Sequence, residues 1–152
     1  LIETLIYIAL LTLIMGSGVV AAFYVIDSSE KEKADINAIA EAAFLMRKID
    51  WALNGVESIN IHDPAPGPPG SLLSVDKSLP FPPASNPIII DLSSERAQIT
   101  LGGVTSALTG DRVKIIALTF EHIPAAPPKP AAIKASFTAD GKLFEMTKYL
   151  RK

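Results

Sequence analysis

The chain begins with an unbroken apolar stretch. From Thr4 to Ile26 no residue is charged, and Glu3 stands just ahead of that run. These 23 residues exceed the roughly 20 that a helix needs to cross a bilayer core of about 30 Å. From Ser29 to Leu53 the pattern turns amphipathic. Ile36, Ile39, Ala43, Met46, Ile49 and Leu53 recur in steps of three and four, and charges from Glu30 to Lys48 fill the other side. That spacing predicts a helix with one apolar stripe. All 12 prolines follow Asp63, so proline breaks nothing between about Ile2 and Asn54, and Gly55 supplies a stop. Gly16-Ser17-Gly18 is a weak point, because each glycine costs roughly 1 kcal/mol relative to alanine inside a helix. It serves either tight helix packing or local unwinding. Ser29 and Glu32 have the spacing of a capping box, which offers a fresh helix start as the alternative to one continuous helix.

Beyond the helix the composition changes twice. HDPAPGPPG (62–70) and LPFPPASNP (79–87) are loop sequences with polyproline stretches. From residue 88 the apolar period becomes two. IIIDL (88–92), AQITL (97–101) and VTSAL (104–108) read as short strands, with Gly102-Gly103 as a two-residue hairpin turn. RVKIIALTF (112–120) is the longest and most apolar candidate, which predicts a central strand. PAAPPKP (124–130) is a stiff connection. In AAIKASFT, Ile133, Ala135 and Phe137 share one face, opposite Lys134, Ser136 and Thr138. Asp140-Gly141 is a type I′ turn signal leading into KLFEMTKYL (142–150).

The expected fold is therefore α+β: a long N-terminal helix whose C-terminal half packs on an antiparallel sheet. The boundaries are an apolar helix over 1–26, an amphipathic continuation over 27–55, a Pro-rich connector over 56–87 and the sheet over 88–152. A sheet with one apolar face must be covered, and the Ile36–Leu53 stripe is the helical cover the sequence offers.

Charge and chemistry narrow the function more than the fold. The 16 acids and 14 bases nearly cancel, which argues against nucleic acid as a partner. The late bases Lys142, Lys148, Arg151 and Lys152 read as a solvated terminus. With no cysteine, disulfides, thiolate metal sites and cysteine nucleophiles are excluded. His62-Asp63 is far in sequence from His122, so the histidines read as solvated and no metal or other cofactor is expected. The sequence has no H-E-x-x-H, no G-x-S-x-G and no phosphate-binding glycine loop. Asp111 and Glu121, at the ends of the long strand, would be about 33 Å apart. Nothing here predicts an enzyme. Tyr7, Phe23, Tyr24, Phe44 and Trp51 read as packing residues.

A secretory signal would begin with a basic region, carry a shorter apolar core and end at a small-residue cleavage site. Residues 1–26 do none of these, so the segment reads as retained. It needs an apolar home, since each large aliphatic side chain gains about 1.5–3 kcal/mol on burial. A bilayer or a bundle of identical helices would serve. Glu3 favours the bundle, where it can meet the α-amino group of a neighbouring copy. Such a head-to-neighbour contact is heterologous and builds an open filament.

The stretch LIETLIYIALLTLIMGSGVVAAF resembles the N-terminal segment of type IV pilins and the type II secretion pseudopilins. Those proteins usually begin with an aromatic residue, then Thr or Ser, then Leu-Ile-Glu and an apolar run; here the Leu-Ile-Glu comes first. The resemblance covers residues 1–26 closely and the remainder only in layout. It implies that Glu3 neutralises a neighbour's N-terminal amine, and that a prepilin peptidase removes a basic leader and methylates the new terminus. It implies residence in the inner membrane, followed by extraction into an extracellular filament by the pilus assembly machinery. Family members often have a proline in the first helix where it melts in filaments. Gly16 and Gly18 lie in that neighbourhood and would supply flexibility by another route. KLFEMTKYLRK resembles the ending of minor pseudopilins, so major subunit, minor pilin and pseudopilin all stay open, beside a single-span anchored binding domain.

Overall fold

The structure is a computed structural model that describes residues 2–60, 71–78, 82 and 85–150. It is α+β. One helix, α1 (Ile2–Leu53), is followed by eight strands among the described residues: β1 (Val56–Asn60), β2 (Leu73–Lys77), β3 (Ile88–Ser93), β4 (Arg96–Leu101), β5 (Val104–Ala107), β6 (Ile115–Ile123), β7 (Ala132–Ala139) and β8 (Lys142–Tyr149). The chain divides into two compact units, Leu1–Ile36 and Asn37–Lys152.

α1 is continuous through Gly16-Ser17-Gly18 and through Ser29, so no fresh start occurs at the capping-box residues. Its end is the expected one. Gly55 takes φ +69, the left-handed conformation that closes helices and that glycine adopts without a Cβ penalty.

In the second unit, α1 buries Ala38, Ala42, Leu45, Ile49, Ala52 and Leu53 in a core shared with the strands. Ile49 and Leu53 of the expected stripe are buried and Met46 packs against the core, but the N-terminal end of the stripe is corrected. Ile36 and Ile39 remain 64% and 51% exposed, while the position next to Ile39, Ala38, is fully buried. At that end the buried position is shifted by one residue, or about 100°. The physical reason is size. Three alanines let the helix backbone lie close to the sheets, a gain that counting large apolar side chains does not register.

The strands form two antiparallel sheets rather than one, a five-stranded sheet in the order β1-β2-β3-β4-β5 and a three-stranded sheet in the order β6-β7-β8. The 56–87 connector is in part sheet. β1 and β2 lie within it, and β2 buries Leu73 and Val75. The alternation along β7 holds, with Ile133, Ala135 and Phe137 buried and Lys134, Ser136 and Thr138 partly exposed. The expected two-residue hairpin turn and the expected type I′ turn both have positive φ at both residues, Gly102 at 55° and Gly103 at 83°, Asp140 at 45° and Gly141 at 80°. A third such turn, Ser94-Glu95, joins β3 to β4 without a glycine (φ 51° and 61°).

RVKIIALTF is displaced and is not central. Residues 111–113 form a turn and bend, the strand runs on to Ile123, and β7 lies in the middle of its sheet. Within β6, the step from Ile116 to Thr119 is matched on β7 by the shorter step from Thr138 to Ser136, so β6 carries one extra residue. That bulge lets Ile115 and then Leu118 and Phe120 all enter the core. Strict period two would have turned one set outward. Ala117 in the bulge takes φ 54, a conformation costly for a residue with a Cβ.

Candidate functional site

The apolar segment is the first candidate. Every side chain from Ile2 to Ser28 is exposed, and α1 is long and apolar enough to cross a membrane. Two of its hydroxyls, those of Thr12 and Ser17, are satisfied by its own backbone. Thr12 Oγ1 donates to the carbonyls of Ile8 (3.0 Å) and Ala9 (2.9 Å), and Ser17 Oγ donates to that of Ile14 (2.9 Å). The segment can therefore enter an apolar environment without stranding these donors.

Glu3 lies in the first turn of α1 and is exposed. There it faces the positive end of the helix macrodipole, which favours a carboxylate. Gly16 and Gly18 leave open surface, since a Cβ built on either would meet nothing within 4 Å. Small residues of this kind let a second helix backbone approach closely. The structure thus places Glu3 at one end of the apolar segment and both glycines within it, on one regular helix.

The other candidate chemistry does not assemble. His62 and Asp63 lie outside the described residues. His122 is exposed at the end of β6, and no cluster of three metal-ligating side chains exists among the described residues. Asp111 is not in β6 and forms an ion pair with Arg96. Lys148 is not merely solvated, because its Nζ lies 2.6 Å from Asp50 Oδ1 and ties β8 to α1. A cleft of about 1170 Å³ opens beside that pair, lined by Leu53, Val56, Ile59, His122, Tyr149 and Leu150 among others.

The five aromatics singled out in the sequence all stay outside the core. Tyr7, Phe23 and Tyr24 are exposed on the apolar segment, and Phe44 and Trp51 are each 37% exposed. The latter two are covered by cations. Lys48 Nζ lies 5.5 Å from the Phe44 ring centroid and 5.8 Å from that of Trp51, while Lys77 Nζ lies 4.0 Å from the Trp51 centroid. Lys77 also donates to the Trp51 carbonyl at 2.6 Å, and burial lowers its pKa from the ordinary 10.5. No local pattern announces this cluster, because Lys77 reaches Trp51 from β2, 26 residues further along the chain.

Compared with protein-family models, with curated proteins and with solved structures, the chain matches none.

Proposed function

We propose that the chain is a structural subunit of an extracellular type IV pilus-like filament, assembled by packing of its N-terminal helices. The observation that carries this reading is a fully exposed apolar helical segment headed by a single carboxylate, Glu3. An apolar surface of that size does not persist in water. In the inner membrane it is a single span. In the filament it is shared with other copies, and Glu3 pairs with a neighbour's terminal amine. The L-I-E opening supports the pilin resemblance, and the helix-then-antiparallel-sheet layout agrees with it.

Partners under this reading are further copies of the chain, the prepilin peptidase, the assembly machinery and the inner membrane. A minor pilin or pseudopilin would use the same helix and the same carboxylate. A membrane-anchored binding domain would use the helix alone and place no demand on Glu3.

The test is the composition of sheared cell-surface fibres, from cells making the wild type and from cells making Glu3→Ala. Fibres built mainly of this chain, lost in the variant while membrane insertion persists, are the expected result. Cells that hold the protein in the membrane but yield no fibre containing it would overturn the reading.

A further inference from the structure

Asn54 and Gly55 form the chain's one asparagine–glycine pair; Asn37, Asn60 and Asn86 are followed by Ala, Ile and Pro. The pairing matters chemically. An asparagine side-chain amide lies within reach of the backbone nitrogen of the next residue. A Cβ on that residue hinders the approach, and a proline nitrogen has no proton to give up. Glycine imposes neither limit.

The fold leaves this pair where the backbone is weakly held. α1 ends at Leu53, and Asn54 and Gly55 are both exposed. Asn54 N–H reaches the Trp51 carbonyl at 3.3 Å, just beyond the usual range for such a bond. Gly55 has φ +69, and β1 begins irregularly, with a register shift between Val56 and Ser58. The Gly55 carbonyl is anchored, accepting from Ser78 N–H at 3.1 Å and from Ser78 Oγ at 3.3 Å. Freedom is therefore concentrated in the peptide unit between Asn54 and Gly55, where a helix end frays. Asn86 is held quite differently. Its Oδ1 accepts from Lys77 N–H at 3.2 Å and its Nδ2 donates to the Lys77 carbonyl at 3.0 Å.

We propose that Asn54 is a site of self-modification, converting in the folded chain to aspartate and isoaspartate. The Gly55 nitrogen attacks Asn54 Cγ. The new N–Cγ bond closes a cyclic imide, the Cγ–Nδ2 bond breaks, and ammonia leaves with the Gly55 amide proton. Solvent water then opens either carbonyl arm of the ring. The carboxylic acid so formed gives its proton to the ammonia, which leaves a carboxylate at position 54 on a normal or a lengthened backbone.

The location gives this change a consequence. Asn54 Nδ2 donates to Asp50 Oδ2 at 3.2 Å, and Asp50 Oδ1 holds Lys148 of β8 at 2.6 Å. Conversion removes a donor from Asp50 and sets a like charge four residues along the chain from it, which repels. It also adds negative charge at the negative end of the α1 macrodipole. The tie between α1 and β8 weakens as the chain ages, and the adjoining cleft, which Asn54 lines, gains a charge. The inference stands apart from the filament reading.

The experiment uses the full chain in detergent micelles, incubated at neutral and at mildly alkaline pH. Peptide mapping by mass spectrometry, with enzymatic methylation of isoaspartate, follows each asparagine. Conversion is expected at Asn54, faster at the higher pH because attack requires the Gly55 amide to lose its proton. Asn37, Asn60 and Asn86 are expected to stay amides over the same interval. Asn54→Gln is expected to abolish the reaction, since the longer side chain closes the ring far less readily. Asn54→Asp is expected to lower the urea midpoint, and by less when Asp50→Asn removes the like charge. Conversion no faster than at the other asparagines, or seen only after unfolding in urea, overturns the proposal. A midpoint for Asn54→Asp equal to that of the wild type overturns the effect on the Asp50–Lys148 tie.

Discussion

Glu41 on α1 accepts the backbone N–H of Gly110 through both carboxylate oxygens, at 3.0 and 3.2 Å. The contact spans 69 residues of sequence and lies where the chain leaves the first sheet for the second. The neighbouring bonds hold the same crossing. Ala97 N–H donates to Thr109 Oγ1 at 3.0 Å, Leu108 N–H donates to the Ala97 carbonyl at 2.8 Å, and Arg96 pairs with Asp111. The helix and the two sheets of the second unit therefore share one pinned connection.

Glu41→Ala is expected to destabilise the protein by about 1–2 kcal/mol, the range for a hydrogen bond to a charged group with partial solvent access. Gly110→Ala would set a Cβ 3.0 Å from Glu41 Oε1, so the carboxylate must give by a few tenths of an ångström, and its effect reads how tightly Glu41 is held. Urea unfolding of both variants checks this. Unchanged midpoints would mean that the crossing is held by the Thr109 and Arg96 contacts alone.

Ala117→Gly is expected to stabilise the protein, by up to about 1 kcal/mol. Glycine adopts the positive φ of the β6 bulge without the Cβ clash, and that relief exceeds its own entropic cost. Thermal unfolding would show a small upward shift. Ala117→Val should shift the midpoint downward, since a branched Cβ worsens the same clash.

Lys77 and Lys114 are expected to lose their protons in that order. Burial lowers the Lys77 pKa from 10.5, whereas a hydrogen bond to Glu95, reinforced by its charge, raises that of Lys114. The two act on stability with opposite sign. The Lys114 contribution is fully present below 10.5 and is lost as pH rises through its folded value. For Lys77 the unfolded chain holds the proton more tightly, so stability rises with pH between the folded value and 10.5. Side-chain NMR titration reads the order directly. Trp51 fluorescence should change with the Lys77 step, because that ammonium lies 4.0 Å from the ring.

Gly16→Ala with Gly18→Ala is expected to leave the isolated chain folded and its helix stiffer. Alanine gains roughly 1 kcal/mol per site in a helix interior, and neither new Cβ meets an atom within 4 Å. Under the filament reading, fibre yield should nevertheless fall, because the added methyls obstruct close approach or suppress unwinding. Normal yield from the double variant would remove both roles.

Much of the fold was legible because its signals are local. The proline-free start and Gly55 bounded α1 nearly to the residue, since a helix needs only its own backbone hydrogen bonds and a stop. Gly102-Gly103 and Asp140-Gly141 announced two hairpins, because positive φ at successive residues restricts what can stand there. The alternation at Ile133, Ala135 and Phe137 gave the inward face of β7. Glu3 and the apolar run also needed no tertiary context, because a charge beside an uncharged span is a fact of the chain itself.

Tertiary structure decided the rest. Which face of α1 is buried depended on how closely the sheets could approach, and Ala38, Ala42 and Ala52 won over Ile36 and Ile39 for that reason. The division into two sheets falls where Glu41 reaches Gly110 across 69 residues of sequence. The position of β6 depended on a bulge that trades strain at Ala117 for burial of Ile115, Leu118 and Phe120. The nearer of the two ammonium groups on Trp51 stands there only because β2 brings Lys77 to the ring. Local sequence fixes backbone preference and polarity, whereas contacts between distant segments are chosen by packing volume and by which polar groups find partners once the chain has closed.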